Sequence, residues 1–183
     1  MTNPISIITI LSILLVFSYI TTQLYAAQPW HNKVTDDMLK DICSHTQNSS
    51  FCFQTLKSYP HTATTNLRGL AEYSIDLTRG SAQQTLPIVK LLAKQATDPK
   101  LKARYTSCAA SYDNAMGFID AFKGSLADGD YEGVMAQASW VMSNVDDCEQ
   151  QFKTLPVDPS QLPERNRNLF YLASMVAEIA IEI

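Results

Sequence analysis

The chain has 183 residues, 46% hydrophobic and 17% charged, with 18 acidic against 14 basic side chains and a net charge of −4. This composition excludes a disordered polyelectrolyte and supplies enough apolar surface for the core of one ordinary domain. A mildly acidic chain argues against nucleic acid or anionic membranes as partners, and it permits a basic protein partner.

The first 27 residues carry no Asp, Glu, Lys, Arg or His, and residues 5–20 are almost continuously Ile, Leu, Val, Phe and Tyr diluted by Ser and Thr. That run is long enough for the apolar core of a secretory signal and short for a membrane span of about 20 residues. Ala26 and Ala27 supply small residues at a processing point. The expectation is a signal peptide over residues 1–27, a tail over 28–34 that includes Trp30, and one helical domain over 35–183. An uncleaved signal anchor is the competing reading, because the usual positive charge ahead of the apolar run is absent. Four cysteines, an even set in a secreted chain, favour disulfides over free thiols or metal ligands.

After residue 30 the chain reads as helices. Thr35 caps a short helix through Leu39 and Ile42, with Asp36 and Asp37 in its first turn. A second short piece covers 51–59 and stops at Pro60. These two make an N-terminal helical hairpin. From about Thr62 to Ala96 apolar residues recur at three and four (Leu67, Leu70, Ala71, Leu77, Val89, Leu92), with a kink or break expected near Arg79-Gly80 or Pro87. Asp98-Pro99 starts the next helix, which carries Tyr105, Cys108, Tyr112, Ala115, Ile119 and Phe122 to about Leu126. The turn Ala127-Asp128-Gly129-Asp130 follows, then a helix marked by Val134, Ala138, Val141, Val145 and Cys148. Pro156, Pro159 and Pro163 delimit a loop. The last helix lines up Leu169, Leu172, Ala173, Val176, Ala180 and Ile183. Four long amphipathic helices on short turns predict an all-α, up-down-up-down four-helix bundle with the hairpin as an extension.

Four cysteines allow three pairings, and spacing favours one. Cys108 stands 20 residues before Asp128 and Cys148 stands 20 after it. On two helices folded back at that turn, both lie about 30 Å from it and meet at one height. Cys43 and Cys52 pair across the polar turn Thr46–Ser50 by the same reasoning. Asn48-Ser49-Ser50 is a glycosylation sequon at the tip of that hairpin, with Asn48 as the acceptor.

Catalytic patterns are missing from the sequence. His31, His45 and His61 sit in or beside the hairpin without metal-ligand spacing, so no metal or cofactor is expected. There is no phosphate-binding glycine loop, no G-x-S-x-G elbow and no C-x-x-C pair. Asp146, Asp147 and Glu149 cluster beside Cys148 as a solvated acidic face or a protein-docking surface, and Trp140 reads as core or half-buried packing.

Three segments carry a resemblance: Asn66-Leu67-Arg68-Gly69-Leu70, Tyr73-Ser74-Ile75-Asp76-Leu77 and Gln95-Ala96-Thr97-Asp98-Pro99-Lys100-Leu101-Lys102-Ala103-Arg104-Tyr105. They strongly resemble plant pectin methylesterase inhibitors, which share a superfamily with plant invertase inhibitors. The resemblance runs from about residue 42 to 183 and takes in the cysteine frame and Gly129-Asp130-Tyr131. It implies a disulfide-stapled bundle with first-to-second and third-to-fourth cysteine pairing. It further implies a secreted, non-enzymatic inhibitor of the apoplast and cell wall that covers the esterase's pectin-binding cleft one-to-one. The implied partner-binding positions are Ala110, Ser111, Asn114 and Gly117 after the third cysteine, Asp130 and Tyr131 at the turn, and Asp147 and Gln150 beside the fourth. Invertase inhibitors, the alternative, typically place Pro-Lys-Phe after the turn, where this chain has Asp130-Tyr131-Glu132-Gly133. Pectin-branch members often carry acids after the third cysteine and Thr before the fourth, where this chain has Ala110, Asn114, Gly117 and Asp147.

Overall fold

A computed structural model describes residues 10–19, 33–154 and 157–183. Residues 10–19 form helix α1, exposed throughout, and no helix among the described residues is long and apolar enough to cross a membrane. The expected processing point at Ala26 and Ala27, together with Trp30, His31 and Pro156, lies outside the described residues.

The hairpin is α2 (Asp36–Ser44) and α3 (Ser49–Lys57). The Thr35 hydroxyl accepts the Met38 N–H at 3.2 Å, which satisfies a donor that the first turn leaves unpaired. Asn48 does the same for Phe51 at 3.0 Å, so α3 begins at Ser49, two residues before the sequence expectation. Leu39, Ile42 and Leu56 close the hairpin's own core, and the Cys43–Cys52 disulfide joins its arms with Cα atoms 5.5 Å apart.

Helix α4 (Leu67–Gln95) starts five residues later than expected, because Asn66 accepts the Gly69 N–H at 2.9 Å and fixes the first turn. The break expected near Gly80 or Pro87 does not occur; 29 residues run without interruption. Proline removes one N–H and crowds the preceding turn, and here tertiary packing outweighs that cost. Ile75, Ala82 and Val89 are buried on one face, and Thr78 and Thr85 return their hydroxyls to Ser74 and Ser81 carbonyls at 2.7 and 2.8 Å. On the flank, Arg79–Asp120, Lys123–Asp76 and Lys90–Asp113 pair at 2.6, 2.6 and 2.8 Å, and they set α4 antiparallel to α5.

Helix α5 (Pro99–Asp128) opens as expected, with Asp98 accepting the Lys100 and Leu101 N–H groups at 2.8 and 2.9 Å. It stops at Gly129, whose φ of +73° is the left-handed conformation that glycine adopts without strain. The Asp130 N–H returns to the Ser125 carbonyl at 2.9 Å to close that end. Helix α6 (Tyr131–Gln150) follows at once, and α7 (Leu162–Ile181) carries Pro163 in its first turn, so Pro163 opens this helix where the sequence placed it in the loop.

Each long helix packs beside its sequence neighbour, and α7 closes the ring against α4, giving the up-down-up-down bundle. Tyr112, Ile119, Phe122, Leu126, Val141, Leu169 and Val176 fill the centre. Helix α7 is buried well beyond one stripe, at Leu172 through Val176, because the hairpin covers its outer side; Phe51 meets Tyr171 with ring centroids 5.5 Å apart.

The Cys108–Cys148 disulfide joins α5 to α6 with Cα atoms 4.6 Å apart. Asn166 of α7 ties into it: its amide donates to Cys148 Sγ at 3.2 Å, and its carbonyl accepts from the Tyr112 hydroxyl at 2.8 Å. Tyr112, Cys108, Cys148 and Asn166 are all fully buried, so three helices share one satisfied polar knot. Desolvation by burial pushes the Tyr112 phenol well above its ordinary pKa.

Candidate functional site

The surface that the cysteine frame presents is the outer face of α5 and α6. On α5, Ala110, Asn114 and Gly117 follow one another at helical spacing, and on α6 Trp140, Asn144 and Asp147 do the same. Between the two stripes runs an open groove of about 570 Å³, lined by Asp113, Asn114, Gly117 and Phe118 from α5 and by Trp140, Ser143, Asn144 and Asp147 from α6. The antiparallel register set by the disulfide aligns the stripes.

The eight partner-binding candidates separate into three groups. Asn114, Gly117 and Asp147 line the groove. Ala110, Ser111 and Gln150 lie at its disulfide end, and the Gln150 amide is turned onto the Asp146 carboxylate at 3.1 Å. Asp130 and Tyr131 lie at the far end of α6, with Tyr131 sixteen residues from Asp147, about 24 Å along the helix axis. Asp130 is committed to folding: its carboxylate accepts the Gly133 N–H at 2.9 Å and caps α6, and a Cβ on Gly133 would overlap that carboxylate. Tyr131 is half-buried and packs against the core.

Trp140 departs from the sequence reading. It is 57% exposed, and its ring stacks on Phe118 with centroids 5.9 Å apart and planes 13° from parallel. Helical phase carried the signal. Val134, Ala138, Val141, Val145 and Cys148 define the buried stripe of α6, and at about 100° per residue Trp140 falls roughly 120° away from it.

Charge in the groove is sparse and asymmetric. Asp113 is paired with Lys90, and Asp147 stands exposed on the rim without an ion pair among the described residues. Arg167 approaches Glu149 at 3.9 Å in a second groove between α6, α7 and the hairpin, about 460 Å³ and bordered by Gln47, Met142, Phe170 and Tyr171. At the base of the bundle the Tyr105 hydroxyl donates to Asp158 at 2.5 Å and anchors the loop before α7; burial first, and that hydrogen bond second, raise its pKa to about 12. No group of three or more His, Cys, Asp or Glu side chains gathers among the described residues at a spacing that holds a metal ion.

Fold and surface together define a disulfide-stapled helical-bundle protein with an open groove between α5 and α6. The model of the plant invertase/pectin methylesterase inhibitor family matches residues 37–179, and the chain belongs to that family. It is 37% identical over 148 residues to a pectinesterase inhibitor from Actinidia deliciosa, covering 81% of this chain and 80% of that one. It is 36% identical over 122 residues to pectinesterase inhibitor 2 from Arabidopsis thaliana, covering 67% and 70%. A crystal structure of a mutant pectin methylesterase inhibitor from Arabidopsis superposes with a TM-score of 0.73 at 28% identity, covering 78% of this chain and 95% of that one.

Proposed function

We propose that this protein is a pectin methylesterase inhibitor that docks the α5–α6 face over the enzyme's pectin-binding cleft in a one-to-one complex. Its relatives at 36–37% identity, named as pectinesterase inhibitors and covering most of the chain, carry the reading. A binding mechanism of this kind requires a rigid, correctly shaped surface and no catalytic group. The double staple and the buried Tyr112–Asn166–Cys148 knot supply that rigidity, so little ordering cost accompanies docking. Secretion to the cell wall, with loss of residues 1–27, is part of the same proposal. The uncharged apolar leader and the two disulfides, which persist in oxidising compartments, support it. Glycosylation at Asn48 belongs with secretion; its side-chain oxygen caps α3, and the residue remains half-exposed.

After the turn, where invertase inhibitors typically place Pro-Lys-Phe, this chain has Asp130-Tyr131-Glu132-Gly133, and Asp130 caps α6 through the Gly133 N–H. This supports the esterase over the invertase as the target. Titration of a purified pectin methylesterase with the disulfide-bonded protein tests the proposal, with cell-wall and vacuolar invertases assayed in parallel. Stoichiometric loss of esterase activity is expected; full esterase activity at large molar excess refutes it.

A further inference from the structure

The groove has one feature that packing does not require and one that folding does not favour. Trp140 exposes more than half of a large apolar side chain to water, held flat against Phe118. Gly117 lies beside Phe118 in the interior of a 30-residue helix, with helical backbone and nothing within 4 Å of where its Cβ would be. Neither a left-handed φ nor a close approach calls for glycine there, and glycine in a helix interior is less favourable than alanine. Its effect is to leave open space next to the aromatic pair.

We infer that the Trp140–Phe118 pair is the anchor of the inhibitory contact, and that the space over Gly117 receives an apolar side chain from the wall of the esterase cleft. This rests on the docking face proposed above and specifies the chemistry of the partner. An exposed, pre-stacked indole offers large contact area at small ordering cost, which is why Trp dominates the energetics of protein interfaces. The groove's α5 wall is otherwise neutral or already paired: Asn114 and Gly117 are uncharged, and Asp113 is held by Lys90. Asp147 is the exposed carboxylate left on the α6 side, seven residues beyond Trp140 and so about 10 Å along the helix. The matching surface therefore presents an apolar side chain with a Lys or Arg about 10 Å from it. Affinity resides mainly in the apolar element, and the charge contributes chiefly to the rate of encounter.

The test is inhibition of a pectin methylesterase by the disulfide-bonded protein and its variants, at low and high salt. Trp140→Ala should raise the inhibition constant about 30-fold, while Trp140→Phe stays within about threefold of wild type. Gly117→Leu fills the groove and should weaken inhibition at least about tenfold, yet it replaces glycine with a good helix former in open space and leaves thermal stability unchanged or higher. Asp147→Asn should slow association a few-fold and flatten its salt dependence. Wild-type inhibition with Trp140→Ala and Gly117→Leu both within twofold of it overturns the anchor and leaves the esterase-inhibitor reading standing. An inactive wild-type protein overturns both.

Discussion

Asn166→Leu is the sharpest probe of what holds the bundle together, because the side chain it removes joins three helices. Asn166 is 0% exposed, donates to Cys148 Sγ and accepts from the Tyr112 hydroxyl, itself 0% exposed. Leucine has nearly the same shape, so no large cavity forms, and the cost comes from the buried hydroxyl left behind. A buried polar group without its partner costs about 1–3 kcal/mol, and about 2 kcal/mol, the middle of that range, is expected here. Tyr112→Phe should cost a similar amount by orphaning the Asn166 carbonyl. Replacing both with apolar groups leaves neither partner of that bond orphaned, so the double variant should lose about 1 kcal/mol rather than about 4 kcal/mol, a coupling of about 3 kcal/mol. For a domain of about 150 residues, each single variant should melt about 4–8 °C lower. Urea unfolding of all four proteins, with the disulfides confirmed intact, measures the cycle through shifts in midpoint at constant slope. Additivity within about 0.5 kcal/mol would refute the account of a shared polar knot.

The two staples should differ in strength. Replacing Cys108 and Cys148 by alanine opens a 40-residue loop and should cost about 4 kcal/mol, against about 2.7 kcal/mol for the 9-residue loop of Cys43 and Cys52; equal shifts in denaturation midpoint would contradict this. At the α5–α6 turn, Gly129→Ala forces a Cβ into the left-handed region and should cost about 1–2 kcal/mol. Gly133→Ala displaces the Asp130 cap for about 1 kcal/mol. Both should speed amide exchange over residues 125–134 and leave the hairpin's exchange unchanged. In alkali, burial should hold the protons of Tyr105 and Tyr112 beyond the ordinary phenol range. Tyr105 keeps its proton in the folded state up to about pH 12, while an unfolded tyrosine loses it near pH 10. The folded state therefore binds more protons across that window, and stability falls as pH rises through it. Absorbance titration at 295 nm of wild type and Tyr105→Phe checks the assignment.

The helices that were legible in sequence are those whose ends carry local chemistry. Thr35, Asp98-Pro99 and Gly129 mark their boundaries through hydrogen bonds to residues three or four positions away, and such bonds depend on little beyond the local chain. The cysteine pairing belongs with them, since two helices folded about one turn leave little freedom in register. The start of α4 at Leu67 was also encoded locally, in the Asn66 cap, but apolar periodicity upstream of it obscured the boundary. Pro87 misled for a different reason. Its local preference is to break a helix, and the packing and ion pairs that override that preference come from α5, more than twenty residues away.

The amino-acid sequence by itself determined an all-helical bundle and the disulfide frame, because each follows from periodicity or spacing along one chain, and its motif segments at 66–70, 73–77 and 95–105 carried the resemblance to an inhibitor family. Only the tertiary structure decided which surface residues lie side by side. It separated Asp130 and Tyr131 from the groove, because two positions on one helix diverge by about 1.5 Å for every residue between them. It brought Phe118 and Trp140 into contact because an antiparallel partner returns at a fixed register. A docking face is a property of two helices side by side, and neither helix carries it alone.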